Sequence, residues 1–461
     1  MQKFSDRERH CLRLLTKHSP TFKVDPDKCH FLRTPTEFHN DLKRAALEAK
    51  SSIILSSLYI SNDSYCQELI NCLHDACGRN EELKVVLLFD YLRSLREPVK
   101  NSFSLLLPLL ENYPTQVRIY FYHTPKLNGI KKELLPNRVN EIVGVQHTKL
   151  YMFDDNLLIS GANLSETYFT LRQDRYLWIK NNSEIVNYFT NLVKTICNLS
   201  FNVTSKGELE YSNNNKYHPI KQSSKYAKHA CDLIKPFIIP NNNSDEIEFD
   251  SHSTWCFPLL QMAPFKTYQD EETVSELLKS ISNCKTDILS PYLNLAPKYK
   301  ELIMKSDAKL IRVFTASPEA NGFYTAKDFS KYVPTAYSAV ELLFYNKINK
   351  LQLQDRITIH EWKVDGWTYH GKGVYVYFPN EELPSLVIIG STNLGVRSAE
   401  KDLEAQIAIV TNNNNLKLKI KEEFDYLTKP TKQINKETFD TPNRKIPFWM
   451  NIAVNFVGDF L

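Results

Sequence analysis

The chain has 461 residues, 42% hydrophobic and 24% charged, which suits a globular protein of about two to three domains with cores of their own. Its 57 basic residues against 53 acidic ones leave a net charge of only +4, too balanced for a protein that coats nucleic acid. Nine cysteines with no C-x-x-C pair argue against a disulfide framework, and no apolar run approaches the roughly 18 residues that span a membrane.

The first twenty residues hold Arg7, Arg9, Arg13 and Lys17 but also Asp6 and Glu8, a poor match to an acid-poor transit peptide. Thr34 or Thr36 then caps a helix whose Phe38, Leu42, Ala45 and Ala46 form an apolar stripe to about Lys50. Residues 52–60 read as a buried strand, 63–77 as a helix, 83–89 as a strand, 98–112 as a helix and 117–122 as a strand. A loop leads into a strand around His147, and helix 184–200, with Ile185, Phe189, Leu192 and Ile196 at helical spacing, closes the first half. Cys72, His74 and Cys77 share one helix but lack the further ligands zinc needs.

Residues 203–250 turn polar, with Asn213-Asn214-Asn215 and Asn241-Asn242-Asn243, and read as a connection holding a helix at 219–234. The order then repeats: helix 270–283, strands 287–290, 310–314 and 356–360, a strand around His370, and helix 416–427. This predicts an α/β protein of two related halves, each a mostly parallel sheet with helices on both faces, sharing one active-site cleft. The expected divisions are 30–205 for the first half, 206–250 for the connection, 251–430 for the second half and 431–461 for a tail.

The repeat carries chemistry. His147-Thr-Lys149 is followed by Ser160-Gly-Ala-Asn163 and Asp174, and His370-Gly-Lys372 by Gly390-Ser-Thr-Asn393 and Glu404. In each copy the acid lies eleven residues beyond the asparagine. A single H-x-K is common by chance, whereas two copies with matched turns and acids are not. On a strand His147 and Lys149 share a face, as do His370 and Lys372. Asp154 belongs to the first motif, but its odd spacing aims it at the opposite face. It therefore reads as structural support, and Tyr377 in its place need not disable the second copy.

Histidine, with an unperturbed pKa of about 6.5, serves as nucleophile or as acid and base near neutral pH. Two facing one phosphorus suit a double displacement through a phospho-histidine. The lysines and asparagines would hold the non-bridging oxygens, and Asp174 and Glu404 the second imidazole nitrogen. No dense carboxylate cluster accompanies them, so neither a protein-ligated metal nor a cofactor is expected, while a divalent ion bound to a pyrophosphate stays open.

The doubled H-x-K…N pattern resembles the phospholipase D superfamily and, within it, the eukaryotic mitochondrial phosphatidylglycerophosphate synthases. The carrying stretches are Gly144-Val-Gln-His-Thr-Lys149, Ser160-Gly-Ala-Asn-Leu-Ser165 and Arg172-Gln-Asp-Arg-Tyr176. Ser317-Pro-Glu-Ala-Asn-Gly-Phe323, Trp367-Thr-Tyr-His-Gly-Lys372, Arg397-Ser398 and Asp402-Leu-Glu-Ala-Gln406 continue the resemblance, which runs from about residue 30 onward. The Ser160-Gly161 order and the missing acid at Tyr377 depart from the superfamily pattern and look like habits of this branch. The resemblance implies transfer of a phosphatidyl group from CDP-diacylglycerol to glycerol 3-phosphate at a mitochondrial inner-membrane surface. With water as acceptor the same site would make a phosphodiesterase or nuclease. Another phosphatidyltransferase, such as a cardiolipin or phosphatidylserine synthase, is a further alternative.

For such anionic substrates, Lys126, Lys131, Lys132 and Arg138 precede His147 in a basic loop. Asp90, Arg93 and Arg96 follow one strand end, Asn321 and Gly322 follow the matching one, and Ser391 lies in the second turn. The segment 444–461, aromatic with Arg444 and Lys445 at one end, fits an interfacial anchor or a core-packing helix.

Overall fold

Two nine-stranded sheets, one per half, carry the protein. The computed structural model describes residues 5–128, 143–211, 215–241, 253–324, 332–441, 444 and 446–447. The first sheet runs Leu209–Glu210, Phe201–Val203, Val117–Tyr122, Lys84–Asp90, Ser52–Ser56, Leu150–Phe153, Asn156–Ser160, Tyr176–Ile179, Cys29–Leu32. The second runs Phe22–Val24, Thr254–Met262, Leu403–Thr411, Leu386–Gly390, Gly373–Tyr377, Lys285–Leu289, Leu310–Ala316, Ile357–Trp362, Thr431–Gln433.

The α/β class and the paired halves are as expected, but the sheets are mixed rather than mostly parallel. Parallel pairing joins only Ser52–Ser56 to Lys84–Asp90 to Val117–Tyr122, and Lys285–Leu289 to Leu310–Ala316 to Ile357–Trp362. Parallel neighbours need a long crossover, and helices Ser64–Arg79, Ser102–Asn112, Pro297–Lys305 and Val333–Lys350 supply it there. All other neighbours in the two sheets pair antiparallel, and where a tight turn joins two strands no other pairing is open to them. Between Leu150–Phe153 and Asn156–Ser160 only Asp154 and Asp155 intervene, Asp154 with φ at 48°.

Helices cover both faces of each sheet. On the outer face of the first, Phe38, Leu42, Leu69, Leu73 and Leu106 pack on Leu55 and Leu87. On that of the second, Leu12, Leu15, Leu277 and Phe344 pack on Ile288, Val313 and Ile359. Helices Ser183–Asn198 and Asn414–Thr428 fill the space between the sheets, where Phe189, Leu192, Ile420 and Phe424 meet Leu150, Leu177, Tyr375 and Leu403. Each such side chain contributes roughly 1.5–3 kcal/mol by leaving water, so this shared layer fixes one half against the other.

Helix Asp6–His18 and strand Phe22–Val24 join the second half, with Phe22 opposite Cys256. Thr431–Gln433 pairs with the His360–Trp362 end of its neighbour, and Arg444 reaches the carboxylates of Glu341 and Glu361. Lys131, Lys132, Arg138 and the tail residues 448–461 lie outside the described residues. Among the described residues no helix is long and apolar enough to cross a membrane.

Candidate active site

Each histidine is suspended from the opposite half. His147 stands just before strand Leu150–Phe153, not on it, and its amide donates to the Leu403 carbonyl at 2.8 Å. His370 follows the short strand Thr368–Tyr369, which pairs in parallel with Arg172–Gln173 of the first half. Its amide donates to the Gln173 carbonyl at 2.7 Å. These cross-links bring both imidazoles to one cleft.

The carboxylates cross in the same way. Glu404 Oε2 lies 2.9 Å from His147 Nδ1, and Asp174 Oδ2 lies 2.6 Å from His370 Nδ1. Ser398 Oγ donates to the other Glu404 oxygen at 2.8 Å, and the Arg175 amide to the other Asp174 oxygen at 2.8 Å. Burial is the main cause of the shifted titrations. It pushes Glu404 up to about 7 and Asp174 upward, against the pull of Lys149 and Lys372 respectively. Burial, reinforced by Lys149 beside His147 and Lys372 beside His370, drives both imidazoles well below their ordinary value. The resting histidines are neutral.

The lysines lie beneath the histidines rather than in the cleft. Lys149 Nζ donates to the His147 carbonyl and Lys372 Nζ to the His370 carbonyl, each at 2.7 Å, and both lysines are fully buried. Burial lowers Lys372 to about 8, against Asp174 and Glu404. Asn163 and Asn393 do line the cleft, each with a buried Oδ1 that finds no hydrogen-bond partner. The two copies thus place matched side-chain amides beside the two imidazoles.

Asp154 supports the frame. It accepts from the amides of Lys50, Ser51 and Ser52 at 2.9, 2.8 and 3.0 Å and from Ser51 Oγ at 2.7 Å. Burial would raise this carboxyl, yet the Ser51 hydroxyl and the three amides hold it below its usual range. Asp90 caps the short helix Tyr91–Ser94 and accepts from the Gln146 amide at 3.0 Å, so it braces the approach to His147. Ser391 is buried against the Ala405 backbone. Asn321 Oδ1 accepts from the Phe323 amide at 3.0 Å and shapes its turn. Lys126 donates to the Glu400 carbonyl of the other half. None of these five lines the cleft, whereas Arg93, Arg96 and Gly322 do.

The cleft measures about 450 Å³ and also holds residues to which sequence reasoning gave no role. Arg172 and Arg397 join Arg93 and Arg96, and Tyr59, Tyr168, Tyr292 and Tyr337 supply aromatic walls. Tyr168 Oη lies 3.2 Å from His370 Nε2. Spacing held one clue, for Arg172 stands two residues before Asp174 and extended backbone puts both on one side. His147, Asp402 and Glu404 bring ligating atoms within 4.8 Å of one another. Both acids are already engaged, Asp402 by the Val145 amide and Arg397, and Glu404 by Ser398 and His147.

No family model matches the chain. It is 38% identical over 467 residues to a probable CDP-diacylglycerol–glycerol-3-phosphate 3-phosphatidyltransferase of Dictyostelium discoideum, covering 97% of this chain and 80% of the relative. It is 34% identical over 471 residues to the mitochondrial enzyme of that name from Homo sapiens, covering 96% and 84%. The solved phosphatidylserine synthase of Haemophilus influenzae superposes with a TM-score of 0.76 over 98% of this chain and 97% of that one. At 19% identity that likeness speaks for the fold alone.

Proposed function

The chain belongs to the CDP-diacylglycerol–glycerol-3-phosphate 3-phosphatidyltransferase family, and from that premise we propose that His147 attacks phosphorus while His370 moves the protons. The enzyme transfers a phosphatidyl group from CDP-diacylglycerol to glycerol 3-phosphate and releases CMP. The observation that carries the proposal is the pair of imidazoles facing one cleft, each oriented through Nδ1 by a carboxylate. That contact directs Nε2 of each ring to the substrate.

In the first step His147 Nε2 bonds to the phosphorus bearing diacylglycerol, and the bond from that phosphorus to the CMP oxygen breaks. His370 gives the leaving oxygen its proton. In the second, the hydroxyl of glycerol 3-phosphate returns a proton to His370 and attacks phosphorus, and the phosphorus–nitrogen bond breaks. His147 suits the nucleophilic role because its Nε2 has no hydrogen bond to a described residue. His370 Nε2, by contrast, already meets Tyr168. Although the resting His370 is neutral, the arriving diphosphate favours its protonation. One unit charge at about 4 Å contributes about 4 kcal/mol at an effective dielectric of about 20, equivalent to about three pH units. Asn163 and Asn393 donate through Nδ2 to the non-bridging oxygens, and Lys149 and Lys372 supply positive potential from beneath.

The Homo sapiens relative is named as mitochondrial. Because the donor is a bilayer lipid, we extend the reading to a cleft that works at the surface of the inner membrane. Incubating the purified protein with CDP-diacylglycerol vesicles, and either glycerol 3-phosphate or buffer alone, tests the activity. Phosphatidylglycerophosphate and CMP should accumulate together over many turnovers only with the acceptor. Phosphatidic acid as the chief product in both arms would replace transfer by hydrolysis.

A further inference from the structure

We propose that Arg172 is the specificity residue that receives the phosphomonoester of the acceptor, the group that distinguishes glycerol 3-phosphate from neutral glycerol. The inference rests on the transfer just described and on four relationships around this guanidinium.

Arg172 is locked to His370 through the backbone. Its Cα partner in the two-residue ladder is Thr368, the Leu171 carbonyl accepts from the Thr368 amide at 2.9 Å, and Gln173 accepts from His370 itself at 2.7 Å. The side chain is fixed as well. Nε donates to Thr368 Oγ1 at 2.9 Å, and Cζ lies 4.8 Å from the centre of the Tyr168 ring, whose hydroxyl meets His370. Tyr168 thus touches both, Arg172 over its ring and His370 at its hydroxyl.

The charge there is uncompensated. Among the described residues no carboxylate pairs with Arg172, which nevertheless lines the cleft half-buried. The two copies differ at just these places. Nine residues beyond the asparagine the first copy has Arg172 and the second Asp402, and four beyond it the first has Thr167 and the second Arg397. Asp402 lies 2.9 Å from Arg397 Nε, so the second copy neutralises its own arginine while the first leaves one open. A partly desolvated, unpaired guanidinium calls for an anion.

The second half also makes room for it. A Cβ on Gly322 would fall 2.1 Å from Arg172 Nη2, so this close approach requires glycine. Distance then selects among the phosphates. The CMP phosphate is bonded directly to the leaving oxygen and must sit against His370. The acceptor phosphate lies three carbons from the attacking oxygen, a span suited to a guanidinium one ring beyond His370: the Tyr168 ring centre is 5.1 Å from that of His370 and 4.8 Å from Arg172 Cζ. A guanidinium offers paired donors to such a dianion.

The test compares Arg172→Ala, Arg172→Lys and Gly322→Ala with wild type, varying glycerol 3-phosphate, glycerol and CDP-diacylglycerol, and measuring CMP exchange into CDP-diacylglycerol without acceptor. In Arg172→Ala the KM for glycerol 3-phosphate should rise about 30-fold or more. Its preference over glycerol should fall by the same factor, with the KM for CDP-diacylglycerol within about threefold. Arg172→Lys should recover part of the preference, because charge remains without the paired geometry. Gly322→Ala, which displaces the guanidinium without deleting it, should shift selectivity the same way and serves if Arg172→Ala does not fold. Unchanged acceptor preference overturns the proposal. So does a parallel rise in the KM for CDP-diacylglycerol with an equal loss of exchange, which would assign Arg172 to the donor diphosphate. A wild-type enzyme that made no phosphatidylglycerophosphate would instead refute the transfer reading itself.

Discussion

Glu404 and His147 are 257 residues apart in sequence and 2.9 Å apart in space, and Asp174 and His370 repeat the relationship at 2.6 Å. Each half supplies the acid that orients the other half's histidine, so neither half holds a complete site. Removing either acid should lower transfer about 100-fold or more, because the imidazole loses its fixed orientation. The crossing itself is read in a His370→Ala background. There Glu404→Gln should add its own loss, since His147 still depends on it, whereas Asp174→Asn should add almost nothing. The reverse pattern would mean that each acid serves its own half.

The roles of the histidines are separated by exchange. With enzyme and lipid alone, labelled CMP should enter CDP-diacylglycerol, because formation of a phosphatidyl-histidine needs no acceptor. His147→Ala should abolish exchange, as nothing remains to carry the group. His370→Ala should slow both half-reactions and leave an adduct trappable on His147. Exchange that survives in His147→Ala and vanishes in His370→Ala would interchange the roles.

Local pattern made much of this legible. The apolar run Leu83–Phe89 and the helical spacing of Ile185, Phe189, Leu192 and Ile196 sit where expected, since both report burial on a repeating geometry. Sheet direction was less legible, because helix and strand alternate only through the first three sheet-centre strands of each half. The crossed acids could not be read at all. Equal spacing within each copy suggests self-contained sets, and only the Gln146–Leu403 bridge and the ladder of 172–173 with 368–369 reverse that. Asp90 and Asn321 follow strand ends as ligand contacts do, but strand position does not say which way a side chain turns. Both are spent on holding backbone.

Arg175 and Glu423 tie the halves together inside the protein. Arg175 Nε and Nη2 donate to the two Glu423 oxygens at 2.8 and 2.9 Å, and Nη1 to the carbonyls of Lys372 and Ile388 at 3.0 and 2.9 Å. Both side chains are almost fully buried, at 1% and 2% exposure. Glu423→Ala should therefore cost about 3–5 kcal/mol by stranding the guanidinium. Arg175→Met with Glu423→Leu should recover most of that loss. Denaturant midpoints check both, and a harmless Glu423→Ala would show that solvent reaches the arginine.

The last prediction concerns pH and stability at Asp270. Its carboxylate is 1% exposed and accepts from Thr392 Oγ1 at 3.1 Å and from Gln406 Nε2 at 2.8 Å, directly behind the Asn393 turn and beside Glu404. The first half is apolar at the matching places, where Ala162 precedes Asn163 and Phe38 stacks on Tyr176 with centroids 4.6 Å apart. Burial pushes Asp270 up to about 7, more than the two hydrogen bonds lower it, and the charges of Glu404 and Glu271 add to the rise. In the unfolded chain the group titrates near about 3.9. Between those values the folded state holds a proton that the unfolded state has lost. Asp270 is therefore least harmful below about pH 4, and stability falls as pH rises toward 7. Asp270→Asn removes the titration and keeps an acceptor for Gln406, while the Thr392 hydroxyl can turn to accept. The variant should gain on wild type across about pH 4–7 and hold a constant advantage above that, at most about 4 kcal/mol for three units. Thermal unfolding of both proteins from pH 4.5 to 8 measures this. Curves that stay parallel throughout would mean that Asp270 does not titrate in that range.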